Sequence, residues 1–137
     1  MHPIRALQII KTAIFEPKLP LMQNTERQVL IAQLRDALLA LYGKRLSGII
    51  LYGSYAREDF NAESDIDFLL ILDEKPFDYA QEIRRITQIT YPMMLEHDII
   101  ISCLPSPLDR WRSEPSFFFD QVKKDGIAIW TRNSNVS

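Results

Sequence analysis

Two aspartates near the middle of the chain have a spacing that could do chemistry. Asp65 and Asp67 are two residues apart and open the apolar run Phe68-Leu69-Leu70-Ile71-Leu72, which reads as a buried strand. Residues i and i+2 of a strand point to one face, so the spacing predicts two carboxylates side by side, with Ile66 turned into the core. Two ionised carboxylates about 4 Å apart repel by roughly 4 kcal/mol at the effective dielectric of a protein surface. One of them is pushed toward protonation unless a cation joins the pair. A hard divalent cation removes the conflict, and Mg²⁺ in particular is held by one or two carboxylates together with substrate phosphates.

Gly53-Ser54 supplies a place for such phosphates. Ser54 precedes Asp65 by eleven residues and follows a second apolar run, Ser47-Gly48-Ile49-Ile50-Leu51-Tyr52, also read as a strand. A glycine at a strand end lets a phosphate approach the backbone closely. Ser54-Tyr55-Ala56-Arg57 can start a helix whose free N–H groups and positive dipole end favour an anion, with Ser54 expected as N-cap and hydroxyl donor. A lone Gly-Ser is an ordinary turn, and a lone Asp-x-Asp an ordinary solvated strand start. The joint order of strand, Gly-Ser, short helix, loop, Asp-x-Asp and strand is what points to metal and phosphate chemistry.

Tyr52-Gly53-Ser54-Tyr55-Ala56-Arg57 and Ser64-Asp65-Ile66-Asp67-Phe68-Leu69 together resemble the signature of the polymerase-β-type nucleotidyltransferases, with the minimal, MntA-like group the nearest match. The resemblance implies an α/β (α+β) nucleotidyltransferase fold, a mixed β-sheet flanked by helices. It also implies two Mg²⁺ ions, ATP as donor and nucleotidyl transfer to an acceptor hydroxyl. Gly53, Ser54 and Arg57 are then expected to bind the nucleotide, and Asp65 and Asp67 the metal. The family usually has Gly directly after the Arg, whereas Glu58-Asp59 stands here. Two acids near the phosphate path are expected to lower triphosphate affinity unless they point outward.

Two-metal phosphoryl chemistry also wants a carboxylate that orients or deprotonates the attacking hydroxyl. Residues 96–104 read as a third apolar strand entered through an acid, Asp98. If this strand lies beside the one opened by Asp65, Asp98 joins Asp65 and Asp67 over the same metals, and the family resemblance places its third carboxylate on such a strand. Asp98 is therefore expected as a catalytic residue and metal ligand, the competing reading being a solvated strand start. His97 alternates with Asp98 and is read as structural.

The elements around these residues follow from periodicity. Thr25-Glu26-Arg27-Gln28 has the form of a capping box. Behind it, Val29, Leu30, Leu34, Leu38 and Leu41 make a helical stripe that Gly43 ends. Asp78 is expected to cap a helix to about residue 91, with Tyr79, Ile83, Ile86 and Ile89 or Thr90 inward and Pro92 beyond its end. Ser106-Pro107 reads as a helix start. Pro115 restarts a helix whose Phe117-Phe118-Phe119 is more than one face can bury, and residues 127–130 read as a closing strand. Residues 3–15 carry Ile4, Leu7, Ile10 and Ile14 at helical spacing. The expected organisation is an N-terminal helix and linker over 1–20, a catalytic domain over 21–132 and a flexible tail over 133–137.

Composition narrows the partners. The chain has 137 residues, 47% apolar and 25% charged, with a net charge of −2. That suits one globular domain and gives no basic footprint for duplex nucleic acid. No apolar run is long enough for a membrane span, no signal peptide is legible, and Cys103 is the single cysteine, so a reducing cytoplasm is expected. Only 70 residues follow Asp67, less than the relatives with a separate acceptor-binding domain carry, so the acceptor surface is expected on another protein. The minimal group that the chain resembles is paired with a small helical HEPN protein, an RNase toxin. There the transferase acts as antitoxin by moving AMP onto a toxin tyrosine. A second copy of the chain is a further candidate partner. The competing readings are a catalytically idle module that blocks a toxin by contact, and a free-standing transferase acting on a small molecule such as an aminoglycoside.

Overall fold

The apolar runs flanking Gly53-Ser54 become the two central strands of a four-stranded mixed sheet. In this computed structural model, which describes residues 22–133, β1 (Leu46–Tyr52) and β2 (Ile66–Leu72) pair antiparallel, with Tyr52 opposite Asp67. β3 (Ile101–Pro107) lies parallel to β2, and β4 (Ile127–Thr131) lies antiparallel to β1, giving the order β3-β2-β1-β4. β3 is an edge strand, which is how it accommodates Pro105 and Pro107. The two prolines are two residues apart, so their missing N–H groups fall on one side, away from β2.

Helices cover both faces. α1 (Asn24–Tyr42) packs Leu30, Leu34 and Leu38 against Ile49, Leu51, Phe68 and Leu70. A four-residue helix, α2 (Ser54–Arg57), links β1 to the loop before β2, and α3 (Tyr79–His97) joins α1 on the same face through Ile86 and Met93. On the other face, α4 (Leu108–Ser113) and α5 (Phe117–Asp125) bring Leu108, Trp111, Phe119 and Val122 over Ile50, Leu69 and Ile71. Trp111 is therefore core, whereas Phe117 is 79% exposed and Phe118 partly so. No described helix is long and apolar enough to cross a membrane. The helix predicted over residues 3–15 and the tail beyond residue 133 lie outside the described residues.

Several boundaries differ from expectation. The capping box does not form: α1 starts at Asn24, Gln23 is the cap, and Arg27 bonds Asn24 Oδ1 at 3.0 Å. Gly43 ends α1 as predicted, in a positive-φ conformation with its N–H donating to the Leu39 carbonyl. α3 does not stop before Pro92 but carries it inside and runs on to His97. Thr90 and Met93 continue its buried stripe, and Pro92 faces solvent, so packing outweighs the ladder bond that proline removes. Tyr79, expected inward, is exposed, and Glu82 takes the inward position. As a result the third strand begins at Ile101 rather than at residue 96. Ser106 is a buried strand residue, not a helix cap. The cap of α5 is Ser116, whose hydroxyl accepts from the Phe119 N–H at 3.2 Å.

Candidate nucleotide and metal site

Gly53 ends β1 with φ 73° and ψ −156°, a conformation that side chains resist. A Cβ at this position would also collide with Oδ2 of Asp67. The glycine is thus required twice, by its own backbone and by the carboxylate packed against it. Gly53, not Ser54, caps α2. Its carbonyl accepts from Ala56 and Arg57 N–H at 3.1 Å each, and Ser54 is the first residue inside the helix.

Asp65 stands just before β2 and Asp67 is its second residue. Asp65 is exposed and Asp67 half-buried. The Asp67 carboxyl is pushed up to about 6, foremost by burial and then by the negative charge of Asp65, with Arg57 pulling the other way. This is the like-charge pair predicted from the i, i+2 spacing. Arg57 is exposed, and its Nε lies 3.1 Å from Oδ2 of Asp59.

The loop that returns the chain to β2 is held by its own contacts. Phe60 stacks on Tyr55 with ring centres 4.2 Å apart, and the Arg27 guanidinium sits over both rings. Asn61 Oδ1 accepts from Glu63 N–H at 2.8 Å, and Ser64 Oγ accepts from Asn61 N–H at 2.9 Å. Glu58 sits in the left-handed region at φ 65° as the C-cap of α2. Glu58 and Asp59 are both exposed.

A row of polar groups crosses the sheet at this level. Tyr52 on β1 and Ser102 on β3 are the register partners of Asp67 on its two sides. Burial and then the Asp67 charge push the Tyr52 hydroxyl up to about 12, while a hydrogen bond with Ser102 works against them. Phe118 meets the Tyr52 ring edge-on at 5.3 Å. Sequence reasoning passed over both flanking residues. Tyr52 lay inside the quoted motif, and Ser102 is visible only once the register is known.

Asp98 is not on β3. It is the C-cap of α3, in the left-handed region at φ 52°, ahead of the strand. Among the described residues no group of three His, Cys, Asp or Glu side chains is arranged to hold a metal ion, so Asp98 does not converge on Asp65 and Asp67. His97 meets Gln33 Oε1 at 2.6 Å and is structural, as expected. A groove lined by Leu72, Glu74, Lys75, Phe77 and Leu108 lies at the opposite, C-terminal end of β2, away from this chemistry. The residues that are brought together are Gly53, Ser54, Arg57, Asp65 and Asp67. A carboxylate pair with one member, Asp67, packed against a bare glycine fits one divalent cation carrying a phosphate.

The nucleotidyltransferase domain family matches residues 31–124. Two proteins of Methanocaldococcus jannaschii, MJ0141 and MJ0604, carry the words protein adenylyltransferase in their names. The chain is 30% identical to MJ0141 over 73% of its own length and 95% of the relative's. It is 35% identical to MJ0604 over 73% of its own length and 94% of the relative's. A crystal structure of a toxin–antitoxin with AMP-PNP shares the fold, with TM-score 0.53, 20% identity and 75% of each chain covered.

Proposed function

The chain belongs to the nucleotidyltransferase domain family, and from that premise we propose that it moves AMP from ATP to a hydroxyl of a partner protein, a tyrosine of a HEPN-type RNase toxin. The observation that carries this reading is the packing of Asp67 against Gly53 with Asp65 beside it. Such a pair is costly without a cation and useful with one. The names of the curated relatives support a protein acceptor. The likeness in fold to a toxin–antitoxin with AMP-PNP supports the nucleotide and the toxin partner, and the exposed Phe117 offers apolar surface for a partner.

Each residue then has a role. Gly53 leaves room for the triphosphate against the backbone, and Ser54 donates its hydroxyl and N–H to it. Arg57 offers a guanidinium to phosphate oxygens once it releases Asp59. Asp65 and Asp67 would hold Mg²⁺. Bound Mg²⁺ would neutralise charge on the phosphates and on departing pyrophosphate. The protein's contribution is positioning and electrostatics.

Intact-mass spectrometry tests the reading. A HEPN-type partner incubated with the chain, ATP and Mg²⁺ gains AMP on a tyrosine. Asp65→Asn or Asp67→Asn slows the gain by about 100-fold or more, roughly 3 kcal/mol of transition-state stabilisation. Transfer at the wild-type rate by the double variant refutes the assignment. The Arg57–Asp59 pair favours one competing reading, an idle site on a module that neutralises its partner by contact. A partner that is inhibited yet never gains mass identifies that case. Product formed from an aminoglycoside without any protein partner would restore the small-molecule reading.

A further inference from the structure

β3 runs beside β2 in parallel, and its register is fixed by pairs from Ile66↔Ile101 to Leu72↔Pro107. Side chains alternate across this ladder. Ile101 and Cys103 share the helix-covered core with Ile66 and Phe68, whereas Leu104 packs on the opposite face with Leu69. Ser102 therefore shares the face of Asp67 and is its immediate neighbour on β3. A residue earlier on the same face is Ile100, whose carbonyl accepts from the Ile66 N–H at 3.0 Å. The positions beside the carboxylate pair, one just before β3 and one on it, are thus an isoleucine and a serine. The nearest preceding acid, Asp98, is fixed by the left-handed turn that ends α3.

We infer that Ser102 occupies the position from which a third carboxylate would complete a two-cation site, so that the chain with its nucleotide holds one divalent cation and not two. The inference rests on the proposed function for the cation at Asp65 and Asp67. It has a consequence for the acceptor. With no carboxylate at that position, the attacking oxygen must lose its proton with little help, which favours a phenol with pKa about 10 over water-like hydroxyls with pKa about 15.7. In the balanced step, the phenolic oxygen bonds the α-phosphorus as its bond to the bridging oxygen breaks. The electron pair leaves with pyrophosphate, and the phenolic proton passes to water.

Counting bound Mn²⁺ by electron paramagnetic resonance, in the presence of α,β-methylene-ATP, tests this without turnover. One Mn²⁺ per chain is expected for the wild type and for Asp98→Asn, and two for Ser102→Asp. Two ions in the wild type, or a single ion in a folded Ser102→Asp, would overturn the inference while leaving the carboxylate pair intact. If Ser102→Asp fails to fold, Asp98→Asn decides: the wild-type count of one supports the inference, and loss of an ion overturns it. No Mn²⁺ in the wild type would instead sink the proposed function itself.

Discussion

Asp67 carries a conflict that can be measured without knowing the substrate. Its carboxyl is pushed up to about 6 in the fold from an ordinary 3.8, foremost by burial and then by Asp65. The folded protein therefore binds this proton more tightly than the unfolded chain does. The stability contributed by Asp67 is present at low pH and is lost as pH rises toward 6. Melting of the cation-free protein should show a gain on acidification from pH 7 to pH 5 that Asp67→Asn lacks. At pH 7 Asp67→Asn should be the more stable protein, by on the order of 1 kcal/mol once screening of a half-exposed group is allowed for. An equal or lower melting temperature would mean that the pair is not in conflict. Glu58 is the second strained residue, at φ 65° where glycine pays no steric cost. Glu58→Gly should stabilise by about 1 kcal/mol, seen as a rise in melting temperature of about 3 °C.

At the scale of elements, the two central strands, the Gly53 turn and the Asp65–Asp67 pair were legible because each is local. Two continuous apolar runs, one glycine and one spacing define them. What the sequence did not reveal depends on contacts between distant segments. Pro92 looks like a helix stop, yet beyond it Met93 continues a buried stripe that only tertiary packing rewards. That misplaced end shifted the start of β3 and made Asp98 look like a strand residue. Ser102 emerged only with the β2–β3 register, which no local signal encodes. Glu82 was hidden for the same reason, a carboxyl 1% exposed in a helix face that reads as polar. Its Oε1 accepts from the Tyr42 hydroxyl at 2.8 Å, and Arg85 and Glu74 complete the cluster. Burial pushes the Glu82 carboxyl up, and its hydrogen bond to Glu74 holds Glu74 down. Tyr42→Phe leaves that buried group short of a donor and should cost 1–3 kcal/mol in urea unfolding, by the typical magnitude of such losses. A cost near zero would show that Tyr42 contributes packing alone.

At the scale of the molecule, the sheet has a division of labour. Its two apolar faces are covered by α1 with α3 and by α4 with α5, while the chemistry sits at one end of the central strands, beside the bend at Gly53. The same end brings Tyr52 and Phe118 to the rim. The central claim is that Asp65, Asp67 and Gly53 take up a nucleotide through a divalent cation. Titration calorimetry with α,β-methylene-ATP tests it most directly. Saturable binding that requires Mg²⁺ and disappears in the Asp65→Asn/Asp67→Asn double variant is the predicted result, and equal binding without Mg²⁺, or in that variant, would contradict it.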